Sequence, residues 1–278
     1  MSSQEIETGE FAPRSWLVLP PSSIRVVDWN IDRGLQLSAI IDFLAAAKAD
    51  LLLLQEVDLN ARRTNRRNVA KEISHKLRMN YVFAREFQEL TQGSKTSPAY
   101  HGQATLSRWP FSNSRLIRFR EQSSFWRPRW YLPRAPVFQE RLGGRIALVT
   151  DVNVGGRRLV AYNLHLESRG DDQLRRAQLN EVLIDAQCYS QKAPLLVAGD
   201  LNFDVSCGDV AAAISQAKFF SPFSSKRLPT TTSRSMFPAG RAIDWIFTRG
   251  PLRAAQPAVH GGVRASDHYP LSVTVNLL

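Results

Sequence analysis

Cysteine, lysine and long apolar runs are all scarce in this chain of 278 residues. The two cysteines, Cys188 and Cys207, cannot build a disulfide framework and match no metal-ligand spacing, which favours a reducing compartment. No uninterrupted apolar run approaches the roughly 20 residues of a membrane span. The N-terminus carries Glu5, Glu7 and Glu10 before its first basic residue, the reverse of a signal peptide. These features predict a soluble cytoplasmic protein without a transmembrane segment.

The overall composition excludes several other classes of protein. Hydrophobic residues make up 44% of the chain and charged residues 22%, both near the averages of soluble proteins. Wholesale disorder, a collagen-like fibre and a membrane bundle are therefore excluded. Neither a Gly- or Ser-rich linker nor a short repeat divides the chain. We therefore expect a monomer with one domain over residues 24–278, preceded by a polar, proline-containing lead-in at residues 1–23.

What the sequence holds in excess is basic charge. Lys and Arg number 36 against 25 Asp and Glu, so the net charge is +11, which favours polyanionic partners such as nucleic acid, phospholipid headgroups or phosphate esters. Residues 61–78 and residues 111–145 each carry +6, and the rest of the chain is nearly neutral. Only seven of the basic residues are lysine. Arginine suits bidentate phosphate contacts and stacking, although biased codon usage would give the same ratio.

Residues 111–145 combine this charge with seven aromatic rings and three prolines, and the prolines argue against a regular helix. We therefore predict a long basic-aromatic loop that binds nucleic acid. Its candidate contacts are Trp126, Arg127, Arg129 and Trp130. Residues 61–78 are open to two interpretations: a second basic surface for nucleic acid, or the solvated face of an ordinary helix that buries Val69, Ile73 and Leu77.

Short β-branched runs alternate with stretches of helical periodicity after residue 23. Strands are predicted at 24–29, 51–54, 81–84, 145–154, 158–166, 195–198, 243–247 and 271–277, and helices at 37–44, 69–77 and 179–186. The dipeptide Gly155-Gly156 predicts a tight hairpin turn, because glycine tolerates positive φ angles. Helices mixed with hairpins indicate helices packed outside sheets rather than a simple parallel crossover pattern.

Polar residues cluster at the ends of six of the apolar strands. These groups lie at 28–32, 55–56, 163–168, 199–202, 243–245 and 266–270. Each alone is typical of turns and helix caps, but carboxylates gathered at one site repel each other unless a cation or a proton offsets them. Glu56, Asp32 and Asp267 are hard oxygen ligands that suit Mg²⁺ better than zinc. With no phosphate-binding glycine loop and no Gly-x-Ser-x-Gly turn, hydrolysis by metal-aligned water is favoured over a covalent nucleophile.

Seven motifs in order carry a resemblance to a known family. They are WNID (29–32), QEVD (55–58), GQATLSRWP (102–110), NLHLES (163–168), GDLN (199–202), IDWIF (243–247) and SDHYPL (266–271). The set resembles the endonuclease/exonuclease/phosphatase superfamily, which includes abasic-site endonucleases and DNase I-like enzymes. The resemblance spans residues 24–278. It implies an α/β fold, a four-layer αββα sandwich of two facing mixed sheets with outer helices, and an Mg²⁺ or Mn²⁺ site at one sheet edge.

Shorter features bear on the branch of the superfamily. WNID together with HLES is similar to the tyrosyl-DNA phosphodiesterases, which remove protein adducts from 5′ DNA ends. Gln103 and Thr105 depart from the asparagine and the aliphatic residue common at these positions, without touching the proposed chemistry. No motif places the tyrosine that abasic-site endonucleases use; Tyr131 is a candidate only because it lies in the basic-aromatic loop, so the abasic-site activity is not predicted.

The resemblance implies roles for individual residues of a metal and phosphate site. Glu56 corresponds to the main metal ligand, with Asp32, Asn30 and Asp267 near it. In the NLHLES motif, Asn163 is implied to bind the phosphate beside the second histidine of the family. All of these side chains lie at or near the ends of predicted strands, and the resemblance places the metal at one sheet edge.

Five further residues correspond to catalytic positions of the family. Asp200 resembles the residue that orients or deprotonates the attacking water, and Asn202 the residue that holds it. His268 resembles the histidine that contacts the scissile phosphate, and Asp244 the carboxylate that keeps it protonated. His165 resembles the histidine that contacts phosphate or assists the leaving group in the DNase I-like and phosphatase branches. A metal ion and a fixed imidazolium would stabilise the charge that in-line attack places on the phosphate oxygens.

The function that best fits these observations is a divalent-metal-dependent phosphoesterase that hydrolyses a phosphodiester or phosphomonoester of nucleic acid, as a nuclease or DNA-end-processing phosphodiesterase. One alternative keeps the chemistry and changes the substrate to a phospholipid or inositol phosphate, although no obvious exposed apolar segment would dock on a bilayer. Another is a catalytically silent module that binds single strands through arginine and aromatic stacking, which has no need of the catalytic set.

Overall fold

Two β-sheets form the frame of the molecule in the computed structural model, which describes residues 5–13, 21–133, 135, 138, 140–206, 208–223, 228–232 and 240–278. The eight-stranded sheet contains β1 (Ile6–Gly9), β2 (Ser23–Arg33), β3 (Leu51–Leu59), β4 (Asn80–Glu89), β5 (Ala99–Ser107), β7 (Arg141–Gly143), β12 (Leu252–Val259) and β13 (Leu271–Leu277). The five-stranded sheet contains β6 (Phe111–Arg118), β8 (Ile146–Val154), β9 (Arg157–His165), β10 (Leu195–Asp200) and β11 (Asp244–Arg249). The first sheet runs β1, β4, β5, β3, β2, β13, β12, with β7 paired to β4, and the second runs β11, β10, β9, β8, β6.

Each sheet contains a parallel pair of strands joined by a helix. β2 runs parallel to β3 and is connected to it by α1 (Leu37–Ala47), and β9 runs parallel to β10 through α3 (Asp172–Gln187). The other described strand pairs are antiparallel. Within each parallel pair the carboxyl ends emerge at the same edge of the sheet, and the polar motifs follow there.

Alternation along the central strands separates the inner from the outer faces of the sheets. Val26 and Leu53 pack into a buried cluster with the five-stranded sheet, whereas Val27 and Leu54 pack with α1 and with α2 (Val69–Leu77). On the other side of the molecule, α3 and α4 (Gly208–Gln216) contribute buried side chains such as Val182 to the cluster of the five-stranded sheet. The predicted α/β fold, a four-layer αββα sandwich of two facing mixed sheets with outer helices, is confirmed.

All of the predicted strands and helices are present, and several are longer than expected. β2 reaches Arg33 and β3 reaches Leu59, so both strands run into the polar motifs. Gly155 and Gly156 have positive φ angles of 58° and 90° and form the predicted hairpin turn between β8 and β9. The sequence patterns do not predict β1, β5, β6, β7, β12 and α4.

The prediction of a loop over residues 111–145 is wrong in part. Phe111–Arg118 forms β6, antiparallel to β8, and only residues 119–140 lie between β6 and β7. β6 escapes prediction because it is an edge strand with mostly half-exposed side chains, so it lacks the buried apolar run of a central strand. Within the predicted lead-in, Ile6–Gly9 pairs antiparallel with β4 and extends the larger sheet.

α2 accounts for half of the basic segment 61–78. Asn68 caps this helix by accepting a hydrogen bond from the backbone N–H three residues further on. Val69 and Ile73 are buried and Leu77 is half-buried, while the two lysines of the helix face solvent. The segment therefore contains the solvated face of a packed helix, as one of its two interpretations predicts. Binding of nucleic acid by this face stays a prediction.

None of the described helices is long and apolar enough to cross a membrane. Cys188 is exposed at the end of α3, and Cys207 lies outside the described residues. The reducing, cytoplasmic environment expected from the cysteine content stays a prediction.

Candidate active site

The polar strand ends of both sheets meet at one end of the sandwich. Asn30 on β2 donates from Nδ2 to Oδ2 of Asp200 on β10, over 3.1 Å. The indole N–H of Trp29 donates to the carbonyl oxygen of His268 at 2.9 Å, and Ser266 Oγ donates to the carbonyl oxygen of Asn30 at 2.7 Å. The motifs WNID, GDLN and SDHYPL therefore form one site that bridges the two sheets.

Strand register places Asp200 at the centre of this site. Asp200 is paired with His165 on the parallel strand β9 and with Asp244 on the antiparallel strand β11. Gly199 precedes it with a φ of 148°, and a Cβ atom there would overlap the carbonyl group of Leu164 on β9. Glycine at this position lets β10 approach β9 closely, so that three polar side chains come together.

Asp200, Asp244 and His268 form a buried triad whose ligand atoms all lie within 4.8 Å of one another. Nδ1 of His268 lies 2.9 Å from Oδ2 of Asp244, and its Nε2 lies 3.7 Å from Oδ2 of Asp200. Burial alone would lower the pKa of His268, but the carboxylates of Asp244 and Asp200 raise it well above its ordinary value. His268 is therefore an imidazolium at neutral pH, with Nδ1–H directed at Asp244 and Nε2–H directed at Asp200.

Asp200 is held ready to accept a proton. Burial raises its pKa to about 7; the imidazolium of His268 opposes this shift and the charge of Asp244 adds to it. Its Oδ1 accepts from the backbone N–H of Asn202 at 2.9 Å, and its Oδ2 accepts from Asn30. Asn202 is anchored in turn, because its Nδ2 donates to a backbone carbonyl oxygen of the HLES motif. A carboxylate of fixed orientation with a pKa near neutrality suits a general base.

His165 is neutral, and Arg145 fixes its tautomer. Nη1 of Arg145 donates to Nδ1 of His165 at 2.8 Å, and because a guanidinium can only donate, the ring proton sits on Nε2. Burial and then the charge of Arg145 lower the pKa of His165 well below its ordinary value. Its Nε2 lies 3.7 Å from Oδ2 of Asp200 and 4.0 Å from Oε1 of Glu56. The buried Arg145 is itself paired with Glu86 at 3.0 Å, so His165 presents a fixed donor to the site.

Asp32, Glu56 and Asp267, three of the predicted metal ligands, form an acidic cluster beside the buried triad. Burial raises the pKa of Asp32, and the charges of Glu56 and Asp267 raise it further. Burial and the charge of Glu56 also raise the pKa of Asp267, against the opposing charge of His268. Glu56 and Asp32 have positive φ angles of 52° and 42°, a strained conformation that recurs at functional sites. Arg33 pairs with Asp32, and its Nη1 lies 3.5 Å from Oε2 of Glu56.

The acidic cluster fits a divalent cation. Burial alone would raise the pKa of Glu56, but the charge of Arg33 lowers it well below its ordinary value, so the carboxylate is ionised. Carboxylate oxygens that repel one another match the ligand preference of Mg²⁺ and Mn²⁺. Asn30 is less available than the resemblance implies, because its Oδ1 accepts from the backbone N–H of Asp32 while its Nδ2 donates to Asp200.

Sequence motifs miss two members of the site, His101 and Arg145. The ligand atoms of Glu56, His101 and His165 all lie within 4.8 Å of one another. His101 directly precedes the GQATLSRWP motif, and this position is the one sequence signal that points to it. Arg145 counts toward the basic charge of the 111–145 segment, yet it is buried against Glu86 of β4, a pairing that no local pattern signals.

Two predicted substrate contacts are structural instead. Asn163 is buried between the sheets, where its Nδ2 donates to two backbone carbonyl oxygens and its Oδ1 accepts from Gln55 at 2.8 Å. Trp126 is also buried, and its indole N–H donates to Oε1 of Glu167 at 3.1 Å. Because their polar groups are already committed within the fold, neither side chain is placed to bind substrate.

The exposed part of the 111–145 segment is smaller than the sequence predicts. Arg127, Arg129 and Trp130 are exposed, and Trp130 is 96% exposed. Nη1 of Arg129 donates to the hydroxyl group of Tyr131 at 3.1 Å. Four other arginines of the segment pair with acids elsewhere in the chain: Arg115 with Asp185, Arg118 with Glu5, Arg141 with Glu89 and Arg145 with Glu86. Much of the +6 charge is thus neutralised within the fold.

The fold is an α/β sandwich, and its site combines a general base, a fixed imidazolium and clustered carboxylates. This combination is characteristic of phosphate-ester hydrolases. A match to a family of such enzymes agrees with this class. Residues 29–268 match the model of the endonuclease/exonuclease/phosphatase family, so the chain belongs to that family. No curated protein sequence matches the chain.

Solved structures share this fold. The chain is similar to an endonuclease/exonuclease/phosphatase from Beutenbergia cavernae DSM 12333, at 17% identity and a TM-score of 0.66, over 92% of this chain and 72% of that one. It is similar to a D. rerio TDP2 humanised by 14 mutations, at 19% identity and a TM-score of 0.63, over 92% of this chain and 100% of that one. The human nocturnin catalytic domain is 20% identical, with a TM-score of 0.66 and 98% coverage of both chains.

Proposed function

We propose that the chain is a divalent-metal-dependent phosphoesterase that cleaves a phosphodiester or phosphomonoester of nucleic acid by in-line attack of an activated water. The observation that carries the proposal is the position of Asp200, whose Oδ2 lies 3.7 Å from Nε2 of both His165 and His268. A base with a pKa of about 7 thus stands between a neutral and a charged hydrogen-bond donor. A phosphate group that contacts both imidazoles would lie within reach of a water bound to this base.

Each side chain has a distinct part in this chemistry. Asp200 accepts the proton of the attacking water, and the backbone N–H of Asn202 keeps it oriented. The imidazolium of His268 stabilises the charge that develops on a phosphate oxygen, and Asp244 keeps that ring protonated. The Nε2–H group of His165 donates to a second phosphate oxygen or to the leaving group.

A divalent cation would be held by Glu56, Asp32 and Asp267, and when bound it supplies positive charge next to the phosphate oxygens. Mg²⁺ and Mn²⁺ both suit these carboxylate ligands. The pKa values of Asp32 and Asp267 are raised, whereas ligation requires their ionised forms. Metal binding is therefore linked to proton release from the acidic cluster.

Nucleic acid is the proposed substrate because a segment that carries exposed rings and arginines is hydrogen-bonded through Trp126 to the HLES motif. We define the aromatic–arginine surface as Phe125, Arg127, Arg129, Trp130 and Tyr131. All five side chains are exposed, and Trp126 between them is anchored to Glu167 of the HLES motif. Glu167 belongs to the same motif as His165, two residues earlier in the chain. Exposed rings beside arginines suit stacking on unpaired bases and contact with phosphates.

Hydrolysis of a panel of substrates by the purified full chain tests the proposal. Single-stranded, nicked, abasic and 5′-adducted DNA are incubated with Mg²⁺ or Mn²⁺, beside phosphoinositides and soluble inositol phosphates, and each reaction is repeated with EDTA and with Asp200→Asn. Metal-dependent cleavage of a nucleic acid by the wild type alone supports the proposal. Hydrolysis of the lipid or inositol esters only would move the function to those substrates, and binding of nucleic acid without turnover would leave a silent binding module.

A further inference from the structure

We propose that His101 is a nitrogen ligand for a divalent transition metal that binds on the Oε1 side of Glu56. The inference rests on the proposed metal-dependent function and adds to it a ligand that none of the sequence motifs contains. His101 lies on β5 and Glu56 on β3, and these strands are antiparallel neighbours in the larger sheet. The ligand atoms of Glu56, His101 and His165 all lie within 4.8 Å of one another.

Hydrogen bonding leaves one ring nitrogen of His101 with a lone pair. His101 is fully buried, and its Nδ1 lies 3.1 Å from Oδ1 of Asp58. Both oxygens of Asp58 accept hydrogen bonds of 2.7 Å from Arg63, the bidentate geometry of an ionised carboxylate. Since an ionised carboxylate can only accept, Nδ1 of His101 carries the proton and Nε2 carries the lone pair. Among the described residues, Nε2 has no hydrogen-bond partner.

This arrangement is the one by which carboxylates orient metal-binding histidines. A histidine that ligates a metal generally donates its other ring N–H to a carboxylate or carbonyl group, which fixes its tautomer and the direction of its lone pair. Asp58 does this for His101, and Arg63 holds Asp58 in place. A buried lone pair without a donor is unfavourable, and a cation at Nε2 would satisfy it.

Glu56, rather than His165, is the partner ligand of His101. Arg145 donates to Nδ1 of His165, so Nε2 of His165 carries a proton and has no lone pair for a metal. The two oxygens of Glu56 have different neighbours: Oε2 lies 3.5 Å from Nη1 of Arg33, whereas Oε1 lies 4.0 Å from Nε2 of His165. We therefore place the ion at Oε1, because Oε2 is the oxygen next to Arg33.

A pair of one imidazole and one carboxylate favours Mn²⁺ over Mg²⁺. Mg²⁺ prefers oxygen ligands in near-ideal octahedral geometry, whereas Mn²⁺ and later transition metals bind imidazole nitrogen more readily. Two ligand atoms at ~2.1 Å from one ion lie roughly 3–4 Å apart, so a spacing of up to 4.8 Å closes with small side-chain rotations. Water or a phosphate oxygen of the substrate would fill the remaining positions.

Pulsed EPR of Mn²⁺ bound to the metal-free full chain tests this ligand directly. Coordinated imidazole adds a ¹⁴N modulation to the electron spin echo, and we expect this modulation in wild type and in His165→Gln, and its loss in His101→Gln. His75→Gln, at an exposed position on α2, is the matched control and should keep the modulation. In a titration, His101→Gln should weaken Mn²⁺ binding at least about 10-fold and change Mg²⁺ binding by less than about twofold.

A second measurement leaves the buried His101 in place, in case its substitution unfolds the chain. Wild type labelled with ¹⁵N-histidine should show ¹⁵N in place of ¹⁴N coupling. Coupling that persists when each of the other four histidines is replaced by Gln in turn (His75, His165, His260 and His268) assigns the ligand to His101. Mn²⁺ that binds without nitrogen coupling, or coupling that disappears with His165→Gln, would overturn the inference while the phosphoesterase activity stands. A chain that binds neither Mn²⁺ nor Mg²⁺ would overturn the proposed metal-dependent function as well.

Discussion

The buried triad and the acidic cluster lie side by side, yet they differ in how the negative charge of their carboxylates is balanced. In the buried triad two carboxylates share one imidazolium, and all three side chains are nearly inaccessible to water. In the acidic cluster three half-exposed carboxylates face the guanidinium of Arg33. The triad offsets its negative charge with an imidazolium of the protein itself. The acidic cluster keeps an excess of negative charge that a cation would offset.

Asp200→Asn removes the proposed general base of the buried triad and has the largest expected effect. The amide retains hydrogen-bonding capacity but cannot accept a proton, so we expect kcat to fall about 10³-fold while metal affinity is unchanged. The measurement compares kcat at saturating metal and the Kd for Mn²⁺ with those of wild type. Asp42→Asn, at an exposed position on α1, is the control. A loss of metal affinity as large as the loss of kcat would mean that the two groups are not separate.

Arg145→Met tests whether Arg145 holds His165, which lies beside the buried triad, in its donor tautomer. Removal of the guanidinium leaves Glu86 buried without its ion pair, so the free energy of unfolding should fall by about 3–5 kcal/mol. Arg145→Met/Glu86→Gln removes both charges and should recover most of this loss. Activity should stay low in the double variant, because His165 still lacks the donor that fixes its tautomer. Urea unfolding and kcat are the readouts, and equal stability of the single and double variants would contradict a buried ion pair.

Glu56→Gln tests whether the acidic cluster binds the metal. Loss of this carboxylate should raise the Kd for Mg²⁺ and Mn²⁺ at least about 10-fold, because the main predicted ligand loses its charge. At saturating metal, kcat should fall far less than in Asp200→Asn. Isothermal titration calorimetry measures the affinity, with Glu72→Gln on the solvated part of α2 as the matched control. Unchanged metal affinity would remove the acidic cluster from the metal site.

The pKa values of the buried triad predict how activity depends on pH. Asp200 must be ionised to act as a base, so kcat should rise through an apparent pKa of about 7. His268 must be protonated, so kcat should fall again at higher pH, above the raised pKa of that ring. Because Asp200 and His268 interact, the apparent pKa values of the acid and alkaline limbs belong to the pair rather than to either residue alone. Asp244→Asn removes a charge that raises the pKa of His268 and should move the alkaline limb to lower pH; a limb that stays in place would separate His268 from catalysis.

The same shifts determine the sign of the effect of pH on stability. Both pKa values are raised in the folded protein, so the folded state binds more protons than the unfolded state. The contribution of the triad to the free energy of unfolding therefore falls as pH rises through about 7. Urea unfolding at pH 5 and pH 8 measures this change, and Asp200→Asn should reduce it.

The sequence predicts the buried triad well because each of its members lies beside a buried apolar run. Asp200 ends β10, Asp244 begins β11 and His268 precedes β13, so strand pattern and motif order locate all three. Most central strands are predicted for the same reason, but β5 is not, because its buried positions include His101, Gln103 and Thr105. The edge strands β1 and β6 are not predicted, since they lack a neighbouring strand on one side and their apolar pattern is weak.

Polar pairs buried by strand pairing are beyond the reach of sequence patterns. Arg145 and Glu86 are 59 residues apart, and His101 and Asp58 are 43 residues apart, so only the assembled sheets bring them together. The same assembly explains the wrong role for Asn163, whose partners are supplied by β3 and β5. A motif assigns a residue to a region of the site, but the register of neighbouring strands decides what its side chain contacts.

The aromatic–arginine surface should have the smallest effect on chemistry and a clear effect on binding. Arg127→Glu/Arg129→Glu should weaken binding of single-stranded DNA and reduce the slope of log K against log salt by about 2, because each lost phosphate contact removes about one counterion. Lys71→Glu/Lys76→Glu on α2 reverses the same number of exposed charges in the other basic segment and is the matched control. An equal change in both variants would mean that binding follows net charge. A reduced salt slope in Arg127→Glu/Arg129→Glu alone, with wild-type metal affinity and wild-type kcat on a small phosphate ester, would separate binding from chemistry. The phosphates on either side of the cleaved bond would then be neutralised by other groups than the scissile phosphate.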